Sequence, residues 1–351
     1  MKVASGLVSG LHPTPDLAAD AVHSALQNAG VERADHVLLF LTRDFVRHAQ
    51  PAIVAAAGAA GTLQVSGCTA YGVLTETGWL LDQPGAAALV IAQATPATEY
   101  DALNGLLLSF CGHHTLPYAW QYSPERAGLL DAEAASWAHG RLAGTPGAEI
   151  RLPGMAARVC RSPGLRTLGL PLTVDAANGY DLRTLGGLAA TDSLRRALPA
   201  ELRTDPPLHR VVLILASDDL AVPILSTNAD GSLTLAAALA VGEQVRWAIR
   251  QPLSAEQDMR QSLLVPPQGS VAVDPEKAPD FALMFSCLGR GPLFYGNEDR
   301  DLLVFRERFP GVPLVGAYGS GQIAPVGNAN RLFQNTVVTL LYESAHVQPI
   351  A

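Results

Sequence analysis

At 351 residues the chain exceeds the size at which one hydrophobic core usually stops growing, which predicts two domains. Hydrophobic residues make up 48% and charged residues only 16%, a composition that excludes a disordered polar chain. A net charge of −8 without any Lys/Arg cluster argues against nucleic-acid and anionic-membrane partners, and no apolar run of about 18 residues is available to span a bilayer.

In chain order, Thr14-Pro15-Asp16 marks a helix start, with an N-cap hydroxyl, a proline at the first position and a carboxylate at the positive helix end. Ala18, Ala21, Val22, Ala25, Leu26 and Ala29 follow at three-and-four spacing, and Gly30 closes the helix. Val37–Leu41 is short and wholly apolar, as a strand buried on both faces would be. Residues 45–60 read as helical up to Gly61, and Leu63–Val65 as a strand feeding a glycine loop. Residues 101–165 give no clear pattern, being broken by Pro146-Gly147, Pro153-Gly154 and Pro163-Gly164.

Leu168–Val174 then reads as a strand, Asn178-Gly179 as a tight turn and Ala189–Leu198 as a helix stopped by Pro199. The turn sets the expected boundary between halves 1–178 and 179–351. Gln244–Ile249 alternates polar and apolar residues as a half-buried strand does. Ser254 and Gln257 form a capping box for a helix reaching about Leu264, and Asn297-Glu298-Asp299 caps another that ends at Pro310-Gly311. The mixture predicts an α/β to α+β fold with mixed β-sheets and packed helices.

One pattern occurs twice. Gly67-Cys-Thr-Ala-Tyr-Gly72 and Gly316-Ala-Tyr-Gly-Ser-Gly321 share Gly-x4-Gly, and each reaches an apolar run, at Ala88 and at Val337, 21 residues after its first glycine. Equal offsets on both sides of a glycine loop predict an internal duplication with a site where the halves meet. No Gly-Lys-Ser/Thr follows either loop, so neither is a phosphate loop of the nucleotide-binding kind.

Several side chains are candidates for chemistry. Arg290, between Gly289 and Gly291, either holds a ligand carboxylate bidentately or pairs with an acid such as Asp299 or Asp301. Cys68 and Cys287 sit beside the two loops; each is either a small buried thiol or a nucleophile needing a base such as His113, His114 or His139. With Cys111 and Cys160 they show no Cys-x-x-Cys spacing, which predicts reduced thiols and no metal site. Tyr71 and Tyr318 either line a pocket or pack the core. The first residues lack the apolar core of a signal peptide, so a cytoplasmic location is expected.

Phe285-Ser-Cys287-Leu-Gly289-Arg290-Gly291, followed by Val312–Pro325, resembles the C-terminal signature of FIST domains, and Gly67–Val73 resembles the N-terminal glycine-cysteine loop of that family. Leu170–Asp175 with Leu185–Ala189 resembles its central connector. The resemblance implies an N-type half over 1–178, a C-type half over 179–351 and a free-standing bacterial-type member. It implies an intracellular sensory module that binds a small polar ligand, such as an amino acid, between the halves and signals through a separate partner. Where the family usually has Gly-Glu-Ile-Gly-Pro, this chain reads Gly321-Gln322-Ile323-Ala324-Pro325, which removes a carboxylate that could meet a ligand ammonium. The expected binding set is Gly67, Cys68, Thr69, Tyr71, Gly72, Cys287, Arg290, Tyr318, Gly319, Ser320 and Gln322, with no catalytic residue and no cofactor. The alternatives are an adaptor without a ligand and a haem-based gas sensor.

Overall fold

A computed structural model describes residues 1–92, 105–216, 220–264 and 278–344. It divides into two compact units, one of residues 1–163 with 259–351 and one of 164–258. The boundary expected at residue 178 falls inside the second unit, at the turn between two of its strands.

In the first unit one strand arrangement occurs three times. In the first copy, β2 (His36–Thr42) runs parallel to β3 (Val65–Ala70), and β6 (Gly85–Ala92) returns antiparallel on the other side of β2. In the second, β7 (Leu107–Cys111) runs parallel to β8 (Arg126–Leu130), and β11 (Ala148–Ile150) returns beside β7. In the third, β20 (Phe281–Cys287) runs parallel to β21 (Leu314–Gly319), and β24 (Val337–Ser344) returns beside β20. β1 (Lys2–Ser9) and β12 (Met155–Ser162) extend the first and third sheets along β6 and β24.

Between the parallel pair and the returning strand, each copy lends a hairpin to the next sheet. β4 (Gly72–Thr75) with β5 (Gly78–Leu81) leaves the first copy and pairs with β21. β22 (Gly321–Val326) with β23 (Ala329–Phe333) leaves the third and pairs with β8. β9 (Ser136–Ala138) with β10 (Arg141–Leu142) leaves the second and pairs with β3. The exchange is cyclic, so the three sheets interlock.

The registers agree as well. Gly67 lies opposite Leu39, Gly128 opposite Ser109 and Gly316 opposite Met284. A Cβ at these glycines would stand 1.8, 2.0 and 1.9 Å from the facing carbonyl oxygen, so only glycine permits the approach. One residue further along the first strand of each pair, Phe40, Phe110 and Phe285 meet edge-to-face at centroid distances of 5.5 to 5.8 Å, all fully buried. Gly67 and Gly316 are thus two of three equivalent positions. The expected glycine loops are β-strands that switch sheets across a single residue, Tyr71 or Ser320.

Helices cover the outer faces. α1 (Pro15–Ala29) starts at Thr14 and ends at Gly30, which adopts the left-handed conformation with φ 63° and donates its N–H back to Gln27. With α2 (Ala49–Ala60) it buries an alanine-rich face against Val37, Leu39 and Leu41. The small side chains let α1 lie close: a Cβ at Gly6 of β1 would be 2.2 Å from the Ala21 carbonyl.

The second unit is a closed antiparallel barrel of six strands: β13 (Leu165–Asn178), β14 (Asp181–Leu185), β16 (Val211–Leu215), β17 (Ala221–Thr227), β18 (Leu233–Leu235) and β19 (Gln244–Arg250). The short β15 (Leu188–Ala189) adds to β14. Closure removes the unpaired edges that an open sheet presents. α3 (Ala190–Ala197) places Leu194 in the barrel core, and Trp247 donates to Ser193 Oγ at 3.2 Å. α4 (Pro252–Leu264) leaves this unit, and its Met259 and Leu263 join the core of the first, beside α5 (Arg300–Arg308). The fold class is α+β with mixed sheets.

Candidate ligand-binding site

A pocket of about 240 Å³ opens in the first unit where β9 has been inserted beside β3. Three segments build it. The 3₁₀ turn after β2 supplies Arg43, Asp44 and Arg47; the end of β3 supplies Thr69 and Tyr71; the β8–β9 connection supplies Asp131 to Ala134. The connection is held in place by its own backbone, with Asp131 N–H donating to Cys111 O at 3.1 Å and Glu133 N–H to Gly112 O at 3.2 Å. Thr69 fixes the other side, its N–H donating to Ala135 O at 2.8 Å and its hydroxyl accepting from Ala135 N–H at 2.9 Å.

Asp131 is the unusual group. Its side chain is buried, and Oδ1 has no hydrogen-bond partner. Burial pushes its carboxyl up to about 6, although Ser320 in hydrogen-bonding position and the charge of Arg43 both pull it back. Across the pocket the Arg43 guanidinium lies 4.3 Å from the Tyr71 ring centroid, a cation–π contact that orients the arginine while leaving its edge donors available. A cation at the mouth and a buried acid with a vacant acceptor are the two ends of a site for a zwitterion or another ligand carrying both a donor and an anionic group.

The expected residues divide between two places. Thr69 and Tyr71 line this pocket. Ser320 stands against Asp131, with its hydroxyl donating to Leu130 O at 3.2 Å. Cys68 lies just inside, where burial, then Asp131, then Cys111 raise the thiol well above its usual range. Gly67 and Gly72 are close-approach glycines; a Cβ at Gly72 would be 2.3 Å from the Leu81 side chain. Gln322 is fully buried, with its amide donating to Gly319 O at 3.4 Å and Oε1 unpartnered. At Gly319 a Cβ would press on Leu129 at 2.8 Å.

Arg290 and Tyr318 lie elsewhere, between the third sheet and α5. Arg290 donates to Asp301 at 2.9 and 3.1 Å, to Ser162 Oγ at 2.8 Å and to the Ser162 carbonyl. This is the ion pair with Asp301, not an open carboxylate clamp. Tyr318 donates to Asp299, the N-cap of α5. Cys287 and Cys68 are not equivalents: Cys68 lies opposite Phe40 on the second strand of its pair, whereas Cys287 ends the first strand of its own, opposite Gly319. His113, His114 and His139 are exposed.

Arg43 and Asp131 are not singled out by any sequence pattern. A lone acid after Leu129-Leu130 in an irregular segment carries no motif. The one signal available was its place at the end of an apolar run, where strand ends present ligand groups.

Residues 167–325 match the family model of the FIST C domain. The chain carries a FIST C domain. FIST domains are generally regarded as small-ligand sensory domains. Of the expected set, Cys287, Arg290, Tyr318, Gly319, Ser320 and Gln322 fall within the FIST C match and the other five residues precede it, as do Arg43 and Asp131. Two uncharacterized mycobacterial proteins are similar over 206 residues: Mb0898c of Mycobacterium bovis at 28% identity and MT0656 of Mycobacterium tuberculosis at 27%, each alignment covering 55% of this chain and 52% of the relative. The chain therefore spans about half the length of the relatives it matches. No described helix is long and apolar enough to cross a membrane.

Proposed function

We propose that this FIST protein is a sensory module whose pocket at Arg43, Tyr71 and Asp131 binds a small zwitterionic or amino-acid-like metabolite, and that occupancy is reported to a separate protein. The observation that carries the reading is the buried Asp131 oxygen without a partner. A buried acceptor left unpaired costs about 1–3 kcal/mol, a cost that a ligand ammonium removes on binding. Arg43, held against Tyr71, then meets the ligand's carboxylate. The carboxylate missing at Gln322 is supplied from another segment, by Asp131.

Binding rather than covalent catalysis is supported by the thiols. All four cysteines are buried, and burial raises those of Cys68, Cys111 and Cys160, the reverse of what activates a nucleophile. The test is native mass spectrometry of gently purified protein, wild-type and Asp131→Asn. A retained mass of a few hundred daltons in the wild-type, absent from the variant, supports the reading; the same mass retained equally in both overturns it.

A further inference from the structure

The third sheet carries a buried charge that the pocket does not use. Arg158, on β12, is 1% exposed, and none of its three guanidinium nitrogens has a hydrogen-bond partner. The Thr339 hydroxyl on β24, also 1% exposed, is likewise unpartnered. The two residues share a sheet face. Arg158 lies opposite Leu341 and Cys160 opposite Thr339, so Arg158 and Thr339 are diagonal neighbours, within reach of a long side chain. Cys160, Leu341 and Met284 of that face pack against Met259, Leu263 and Phe305 of the covering helices. Burial pushes the Cys160 thiol up to about 11, while the charge of Arg158 pulls it the other way.

The first sheet shows what this position needs for folding alone. By register, Thr339 faces Met284 as Ala88 faces Leu39, and Arg158 occupies beside β24 the place that Ala4 occupies beside β6. Ala4 and Ala88 are buried and apolar. The same arrangement is therefore built from two alanines in one copy, and from an arginine and a threonine in the other. An arginine cannot shed its proton, and a buried charge needs a counter-charge. Glu343, the acid on that face, is the diagonal neighbour of Arg158 on the other side of Leu341, and it receives no hydrogen bond from the guanidinium.

We propose that this layer is a second binding site, in which the Arg158 guanidinium and the Thr339 hydroxyl hold one compact inorganic anion of halide size. The anion supplies the hydrogen-bond acceptor that the guanidinium lacks and accepts from both side chains. It is a structural ligand, independent of the pocket at Asp131.

The experiment uses the full chain. Crystals grown in sodium bromide are expected to show an anomalous peak within hydrogen-bonding distance of Arg158 and Thr339. In solution, thermal unfolding is followed while chloride replaces gluconate at constant ionic strength. The wild-type midpoint should rise by several degrees and saturate. Thr339→Val should need several-fold more chloride, and Arg158→Met should show no chloride response and unfold no earlier than wild-type in gluconate. Absence of the bromide peak overturns the proposal whatever the variants do, and so does a chloride response undiminished in Thr339→Val. If Arg158→Met does not fold, the bromide peak and Thr339→Val still decide the matter.

Discussion

The Arg290 guanidinium grips the Asp301 carboxylate through two hydrogen bonds, of 2.9 and 3.1 Å, with both side chains out of solvent. Tyr295 adds a third donor to the same carboxylate at 3.0 Å, and Ser162 receives the rest of the guanidinium. The strand end at β20, the start of α5 and the last residue of β12 are thereby tied together. Removing one member of such a pair leaves an uncompensated buried charge, at a cost of about 3–5 kcal/mol. Arg290→Ala should therefore lower the denaturant midpoint sharply, while ligand affinity of the folded fraction stays within about twofold, a shift of less than 0.5 kcal/mol. A clean loss of affinity at unchanged stability would return Arg290 to the binding site.

The three glycines make a second prediction. Alanine at Gly67, Gly128 or Gly316 drives a methyl group onto a backbone carbonyl 1.8 to 2.0 Å away. Neither partner is a flexible side chain, so each substitution should cost about 3 kcal/mol or more. Gly58, inside α2 with open space around its Cβ position, is the control: Gly58→Ala should stabilise by about 0.5–1 kcal/mol. Chemical denaturation of the four variants ranks them directly.

A third concerns Phe110. It closes the triangle with Phe40 and Phe285, and among the described residues no α-helix packs on its own sheet as α1 and α2 pack on the first. Phe110→Ala should destabilise by about 3–5 kcal/mol, as much as Phe40→Ala or Phe285→Ala. A much smaller loss for Phe110 would mean that the second copy is peripheral to the core.

Much of the peptide's local structure was legible. Thr14-Pro15 and Gly30 bound α1 because proline geometry and a left-handed glycine act locally. Asp299 caps α5 by accepting from Leu302 N–H at 2.9 Å, as the sequence around it indicates. The glycine pattern was visible at Gly67 and Gly316, but its meaning was not. A glycine needed for close approach inside a strand looks, in sequence, like a glycine needed for a loop. The third copy is hidden in the sequence because Gly128 comes only 18 positions after Phe110, too few for the helix that fills the corresponding stretches after Phe40 and Phe285. Asp131 was invisible for a related reason: its burial is created by β9 pairing with a strand more than 60 residues away.

The pH dependence follows from Asp131. Its folded carboxyl titrates at about 6, above the 3.8 of the free side chain. The folded state thus favours the protonated acid, and that contribution to stability is present below about pH 4 and lost as pH rises through 6. The loss is up to about 3 kcal/mol in the ligand-free protein. Asp131→Asn should flatten the stability profile between pH 4 and 7. Binding of an ammonium-bearing ligand should run the other way, tightening as pH rises through 6 and Asp131 ionises. Calorimetric titrations at pH 5 and 7.5 measure both trends.

The central claim is that Asp131 and Arg43 hold opposite ends of one small ligand, and a thermal-shift panel of amino acids and related zwitterions tests it most directly. The panel is run at pH 7.5 on wild-type, Asp131→Asn and Arg43→Gln. The account predicts that at least one compound raises the wild-type midpoint by several degrees, and that each substitution abolishes the shift by itself. A compound that stabilises all three proteins equally would contradict it, and would place the ligand away from this pocket.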